Sequence, residues 1–168
     1  MPEMTIIDWA RGDTFGLDFP AHPEALKGAG PEFLTRAFRA SGRLGKDNSV
    51  TRITGLDEWM LGGTGVKALL SVTYERDAPG LSRDLFVKFS RNFHNKVRDS
   101  GSYHMPPEVR LANLSRDPDF PVAVPKCFYA DIQQDTLTGI IITERIGYGQ
   151  GAIEPHHAKC MDHILPEP

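Results

Sequence analysis

Cysteine is scarce. Cys127 and Cys160 are the only two, far apart in the chain and in no CxxC pattern. That excludes a disulfide scaffold and leaves two ordinary thiols of a reducing compartment as the reading. Long apolar runs are missing too, and nothing approaches the roughly 18 residues of a membrane helix. The first thirteen residues carry Glu3, Asp8 and Trp9 where a secretory signal needs a basic start and an apolar stretch. Basic excess is also lacking: 19 Lys and Arg against 22 Asp and Glu give a net charge of −3, with no basic stripe of the kind a nucleic-acid binder shows. There is no internal repeat and no low-complexity tract. The expectation from these absences is a cytoplasmic protein that engages neither nucleic acid nor membrane.

What is present is ordinary globular material. Of 168 residues, 40% are hydrophobic and 24% charged, the balance of one soluble domain able to bury roughly two-thirds of its unfolded surface. Residues 1–22, with Gly12, Gly16 and Pro20, read as loop. Pro31 opens a short helix carrying Phe33, Leu34, Ala37 and Phe38, which Gly42 closes. Residues 50–61 are rich in β-branched and apolar side chains. After Gly62-Gly63-Thr64-Gly65, Val66, Ala68, Leu70, Val72 and Tyr74 alternate with Lys67, Leu69, Ser71 and Thr73. This period of two predicts a hairpin with a glycine turn. Residues 84–90 form a third strand, with Leu85, Val87 and Phe89 on one face and Phe86 and Lys88 on the other. A polar loop covers 91–105, and Pro106-Pro107 open a helix with Val109, Leu111, Ala112 and Leu114. Residues 122–132 read as a fourth strand, which Pro125 restricts to an edge or to its start. Residues 139–144 make a fifth, whose Ile140-Ile141-Ile142 run implies burial on both faces. The fold class is therefore α+β: five mostly antiparallel strands, one inserted helix and an N-terminal helical segment. The chain divides into an extension at 1–48, the sheet domain at 49–144 and a glycine-containing connection with a tail at 145–168.

Lys88 stands out chemically. Mid-strand between Val87 and Phe89, it either snorkels to solvent or meets a carboxylate. The candidate partner is Glu108, twenty residues on and in the first turn of the second predicted helix, where a carboxylate also suits the helix dipole. Gly62, Gly63 and Gly65 leave backbone amides able to approach phosphate oxygens, and Thr64 adds a hydroxyl. The same turn is equally well read as a plain hairpin. It is no Walker A loop, because the G-K-[ST] element is missing and a strand follows instead of a helix. In the tail His156, His157, Cys160 and His163 cluster; if helical, His156, Cys160 and His163 fall near one face as zinc ligands, and otherwise the cluster is solvated or caps a neighbouring lobe.

A glycine turn between two strands, Val-Lys on the third, a glutamate on the next helix, two more strands and a flexible connection are together the layout of a kinase N-terminal lobe. On the segments Gly62-Gly63-Thr64-Gly65, Leu85-Phe86-Val87-Lys88-Phe89, Pro107-Glu108-Val109-Arg110 and Ile141-Ile142-Thr143-Glu144-Arg145-Ile146, the chain resembles the phosphotransferase enzyme family. That family holds the aminoglycoside and choline kinase relatives, and the likeness is strongest to its ecdysteroid-kinase-like branch. The resemblance implies ATP and Mg²⁺ as cofactors and a small hydroxyl-bearing acceptor. Gly62 to Gly65 would cover the ATP phosphates, Lys88 would hold the α- and β-phosphates, and Glu108 would fix Lys88. Thr143 would stand behind the adenine, with the Glu144 carbonyl and the Ile146 amide on its edge. The glycine turn departs from the G-x-G-x-x-G spacing of protein kinases.

The catalytic Asp and the metal-binding residues of that family are not matched. No H-x-D occurs, and Asp119-Phe120-Pro121 resembles D-F-G without its glycine and ahead of the connection. Only 24 residues follow Glu144, too few for a second lobe. The expectation is a nucleotide-binding half that binds ATP no better than about millimolar, near −4 kcal/mol, and transfers no phosphate alone. It would self-associate through apolar residues after Glu144, among them Ile146 and Tyr148. Two alternatives stand beside it: a non-catalytic nucleotide-binding or interaction module, and a free-standing α+β protein whose glycine turn is only a turn.

Overall fold

The computed structural model describes residues 5–59 and 62–147. The chain order is β1 (Trp9–Arg11), β2 (Asp18–Pro20), α1 (Pro23–Ala40), β3 (Val50–Glu58), β4 (Val66–Tyr74), β5 (Asp84–Phe89), α2 (Lys96–Asp99), a 3-10 turn (Ser100–His104), α3 (Met105–Leu114), β6 (Cys127–Gln133) and β7 (Thr138–Glu144). The main sheet has five strands in the order β3-β4-β5-β7-β6. Every pairing in it is antiparallel. No described helix is long and apolar enough to cross a membrane.

Alternation decides which face each strand buries. Leu70 and Val72 of β4, Leu85, Val87 and Phe89 of β5, and Ile140 and Ile142 of β7 form one core with Phe33, Leu34, Ala37 and Phe38 of α1. Full burial of each of these side chains larger than alanine stabilises by roughly 1.5–3 kcal/mol. Phe19 and Leu26 join the same core, so the N-terminal region is part of it. Among the described residues the opposite face is covered only at its β6–β7 end, where Met105 and Val109 of α3 pack on Cys127, Ala130, Ile132 and Ile141. The isoleucine run thus serves both cores. A bulge between Cys127 and Tyr129 shifts the strand phase, which lets the consecutive Phe128 and Tyr129 both enter the larger core.

Several expectations are corrected. Residues 1–22 hold a two-stranded ribbon, β1 on β2, too short to show period-two patterning. The first helix begins at Pro23, not Pro31. Gly30, at φ 64° and ψ −163°, breaks it into two segments, and Pro31 starts the second. His22 caps its start: Ala25 N–H donates to Nδ1 at 3.3 Å while Nε2 donates to Asp8 Oδ1 at 2.8 Å. The insertion after β5 is more than one helix, since α2 and the 3-10 turn occupy the stretch read as loop. β6 starts at Cys127, beyond Pro125, and is an edge strand of the main sheet. The tail histidines with Cys160, and Tyr148, lie outside the described residues.

Candidate functional site

The uncovered part of the second face holds the site. In the β4–β5 register Lys67 lies opposite Lys88, and Leu69 opposite Phe86. In the β5–β7 register Phe86 lies opposite Thr143, and Lys88 opposite Ile141. Directly opposed residues project to the same face, so Lys67, Leu69, Phe86, Lys88 and Thr143 line one surface. Trp59 meets Phe86 edge-on at 6.0 Å between ring centroids.

The ion pair expected between Lys88 and Glu108 is present. Lys88 Nζ lies 2.7 Å from Oε1 and 2.6 Å from Oε2 of Glu108. Glu108 is in the first turn of α3, and packing of Met105 and Val109 on the sheet aims that turn at β5. The Lys88 side chain is 16% exposed and that of Glu108 39%. Lys88 is thus largely withdrawn from water, and the Glu108 carboxylate engages it through both oxygens. A pair in this position holds a cation at a fixed point on an otherwise apolar strand.

The glycine turn sits above this pair and is docked rather than free. Gly65 N–H donates to the Arg98 carbonyl at 3.2 Å, and Thr64 packs its methyl group against Gly101. Gly65 has φ +57°, and a Cβ there would overlap the Phe89 carbonyl oxygen. Only glycine meets both conditions. Its amide therefore already has a partner within the fold, while Gly62 and Gly63 lie further out along the turn. Lys67 Nζ donates to the Thr64 carbonyl.

At the other end of this face lies a hollow of about 680 Å³, lined by Trp59, Leu69, Phe86, Thr143, Glu144 and Ile146 among others. That is the size of a small-molecule pocket. Thr143 Oγ1 donates to the Glu144 carbonyl at 3.0 Å, which leaves that oxygen a second lone pair. The Glu144 side chain is turned away from the face: its Oε1 accepts from Lys126 N–H at 2.7 Å. Ile146 is half-buried on the rim. A separate hollow of about 420 Å³ is lined by Arg43, Asp47, Arg76 and Lys126, but these groups are engaged within the fold. Arg76 pairs with Asp47 at 3.0 Å, and Arg43 donates to the Cys127 carbonyl at 2.7 Å.

Gly62 to Gly65, Lys88, Glu108, Thr143, Glu144 and Ile146 therefore all border one face, with the glycine turn and the ion pair at one end and the last three at the other. Lys67 and Trp59 belong to the same surface and were not singled out from the sequence. The signal for Lys67 was its place on the polar phase of β4. What was missing was the register that sets it against Lys88. Comparison with protein-family models, curated proteins and solved structures finds no match for this chain.

Proposed function

We propose that the domain is the ATP-binding lobe of a kinase-like small-molecule phosphotransferase, with a hydroxyl-bearing compound as acceptor of the whole enzyme. The observation that carries this reading is the Lys88–Glu108 pair, placed between a glycine turn and a hollow lined by Trp59, Leu69 and Phe86 on the part of the sheet that the described helices leave uncovered. The element order supports it: glycine turn between two strands, lysine on the third, glutamate on the following helix, two further strands. In this role the hollow takes the adenine, with Phe86, Leu69 and Trp59 against its ring and the Glu144 carbonyl and Ile146 amide at its edge. Thr143 closes the back. Lys88, kept in place by Glu108, meets the α- and β-phosphates, and the glycine turn lies over them.

Mg²⁺ supplies charge neutralisation in phosphoryl transfer. No group of three His, Cys, Asp or Glu among the described residues is arranged to hold a metal, and both oxygens of Glu108 are on Lys88. The described residues supply no complete Mg²⁺ ligand set of their own, and in this reading their part is binding and orientation of nucleotide. A non-catalytic nucleotide-binding or interaction module has one observation in its favour. The Gly65 amide, which a phosphate-covering turn would offer to its ligand, donates to Arg98 instead.

The test is titration of the chain with ATP by calorimetry, together with NMR of labelled protein. A dissociation constant of about 1 mM is expected, a binding free energy near −4 kcal/mol, with resonance shifts at Phe86, Thr143 and Ile146. Lys88→Met should weaken binding at least about tenfold, since a charge-assisted hydrogen bond is lost. ATP that leaves those resonances unmoved at several millimolar sinks the reading.

A further inference from the structure

Lys67 is the charged group on the open face that the reading above leaves without a task. It stands directly opposite Lys88 in the β4–β5 ladder, where two like charges repel. The carboxylate beside them relieves this only in part, because Glu108 bonds Lys88 through both oxygens. Lys67 makes no ion pair among the described residues, and its ammonium group bonds the Thr64 carbonyl inside the glycine turn. A Cβ added at Gly62 would come within 3.0 Å of that nitrogen, so the ammonium group lies against the turn itself. Burial pulls the Lys67 pKa down, and the charges of Lys88 and Arg98 pull it further, with Glu108 opposing. A half-buried lysine facing another cation is unfavourable for folding taken alone, and an anion touching both would relieve it.

The position says what kind of anion. Lys67 and Lys88 are each two residues along their strands from Leu69 and Phe86, roughly 7 Å at the rise of an extended chain. A ligand whose flat apolar part occupies the hollow therefore carries its tail to the lysine pair. We infer that Lys67 is a second phosphate-contacting cation, which together with Lys88 grips the polyphosphate chain of a nucleotide lying along this face. The inference rests on the nucleotide reading above and adds to it the residue that makes affinity depend on the number of phosphates.

The experiment compares ATP, ADP, AMP, adenosine and inorganic tripolyphosphate against wild-type chain, Lys67→Met and Lys67→Arg. Methionine keeps the apolar stem, and arginine keeps the charge. Lys67→Met should weaken ATP about tenfold, the size of one charge-assisted hydrogen bond, and ADP less, while leaving adenosine unchanged. Lys67→Arg should restore most of the loss. In the wild-type chain, ATP but not adenosine should shield Lys67 from an amine-reactive reagent, read by peptide mass spectrometry. That measurement needs no variant to fold. Wild-type ATP binding with an indifferent Lys67→Met, or an equal loss for adenosine and ATP, overturns the role of Lys67 alone. Failure of the wild-type chain to bind any of the five probes overturns both readings.

Discussion

Asp131 is fully buried, yet its carboxylate has a donor for each lone pair that matters. Thr14 and Phe15 N–H groups donate to it at 2.9 and 3.0 Å. The Tyr129 hydroxyl donates at 3.2 Å, and Ile132 N–H at 2.9 Å. The Gly12 Cα lies against the same carboxylate so closely that a Cβ would overlap it. Asp131 is thus the post on which the turn between β1 and β2 is hung. Asp131→Ala removes the acceptor of three backbone N–H groups and a hydroxyl, and stability should fall by about 3–5 kcal/mol, measured as the shift in urea midpoint. Amide exchange at Thr14 and Phe15 should quicken in the same variant. None of this was legible in the sequence, because the partners lie more than a hundred residues apart and an aspartate in a strand gives no hint of what it receives. Lys88 and Glu108 were legible for the opposite reason. A lysine inside an apolar strand is costly without a partner, and the nearest glutamate on a regular element follows twenty residues later.

At the scale of elements, the hairpin of β3 and β4 was readable because alternation over nine residues is a strong signal, and so was the third strand. The β1–β2 ribbon, three residues per strand, is held by tertiary hydrogen bonds such as those to Asp131 and has no periodicity to find. The segment after β5 was read as a polar loop. Its helical turns are set by local capping, with Asn95 accepting from Arg98 N–H at 3.1 Å, and by Asp99, which accepts from Arg91 and from Asn92 N–H. That segment in turn carries the glycine turn. Gly65→Ala should therefore be far worse than an ordinary hairpin substitution. It forces an L side chain to φ +57° and into the Phe89 carbonyl, with a cost of about 2–4 kcal/mol. The expected result is a melting temperature lowered by several degrees, with resonance shifts that reach Arg98 and Gly101. A change confined to Gly65 and its two neighbours would show that the turn and the segment are not coupled.

For the molecule as a whole, acid should loosen the corner that holds the site. The Arg91–Asp99 pair is largely buried, its side chains 20% and 12% exposed, at 2.8 Å. Burial opposes ionisation of Asp99, but the hydrogen bonds from Arg91 and from the Asn92 amide, with the Arg91 charge, outweigh it and hold the carboxyl below its ordinary value of 3.8. A carboxyl lowered in the fold stabilises it fully above the unfolded value, and that contribution is lost as pH falls through the folded one. Between pH 7 and 5 the pair should contribute a constant amount, and below about pH 4 stability should decline. Asp99→Asn should be less stable than wild type at neutral pH and should converge on it in acid, as seen in urea midpoints taken across that range. A gap between the two that persists unchanged down to pH 2 would remove the pair from the account of acid sensitivity.

The two borders of the main sheet differ in a way that bears on how this chain meets copies of itself. Along β6 the border is occupied: Asp13 N–H donates to the Ile132 carbonyl at 2.9 Å, and Gln134 N–H to Asp13 Oδ2 at 2.9 Å. Along β3, Thr35 of α1 occupies the start, its Oγ1 accepting from Val50 N–H at 2.9 Å and donating to the Val50 carbonyl at 3.4 Å; the strand is interrupted between Val50 and Arg52 and again between Ile53 and Gly55, and it bears Arg52, Asp57 and Glu58. Irregular, charged borders make poor templates for strand addition. One rim is thus sealed by the amino-terminal turn and the other bent out of line, which guards the domain against edge-to-edge growth into fibrils.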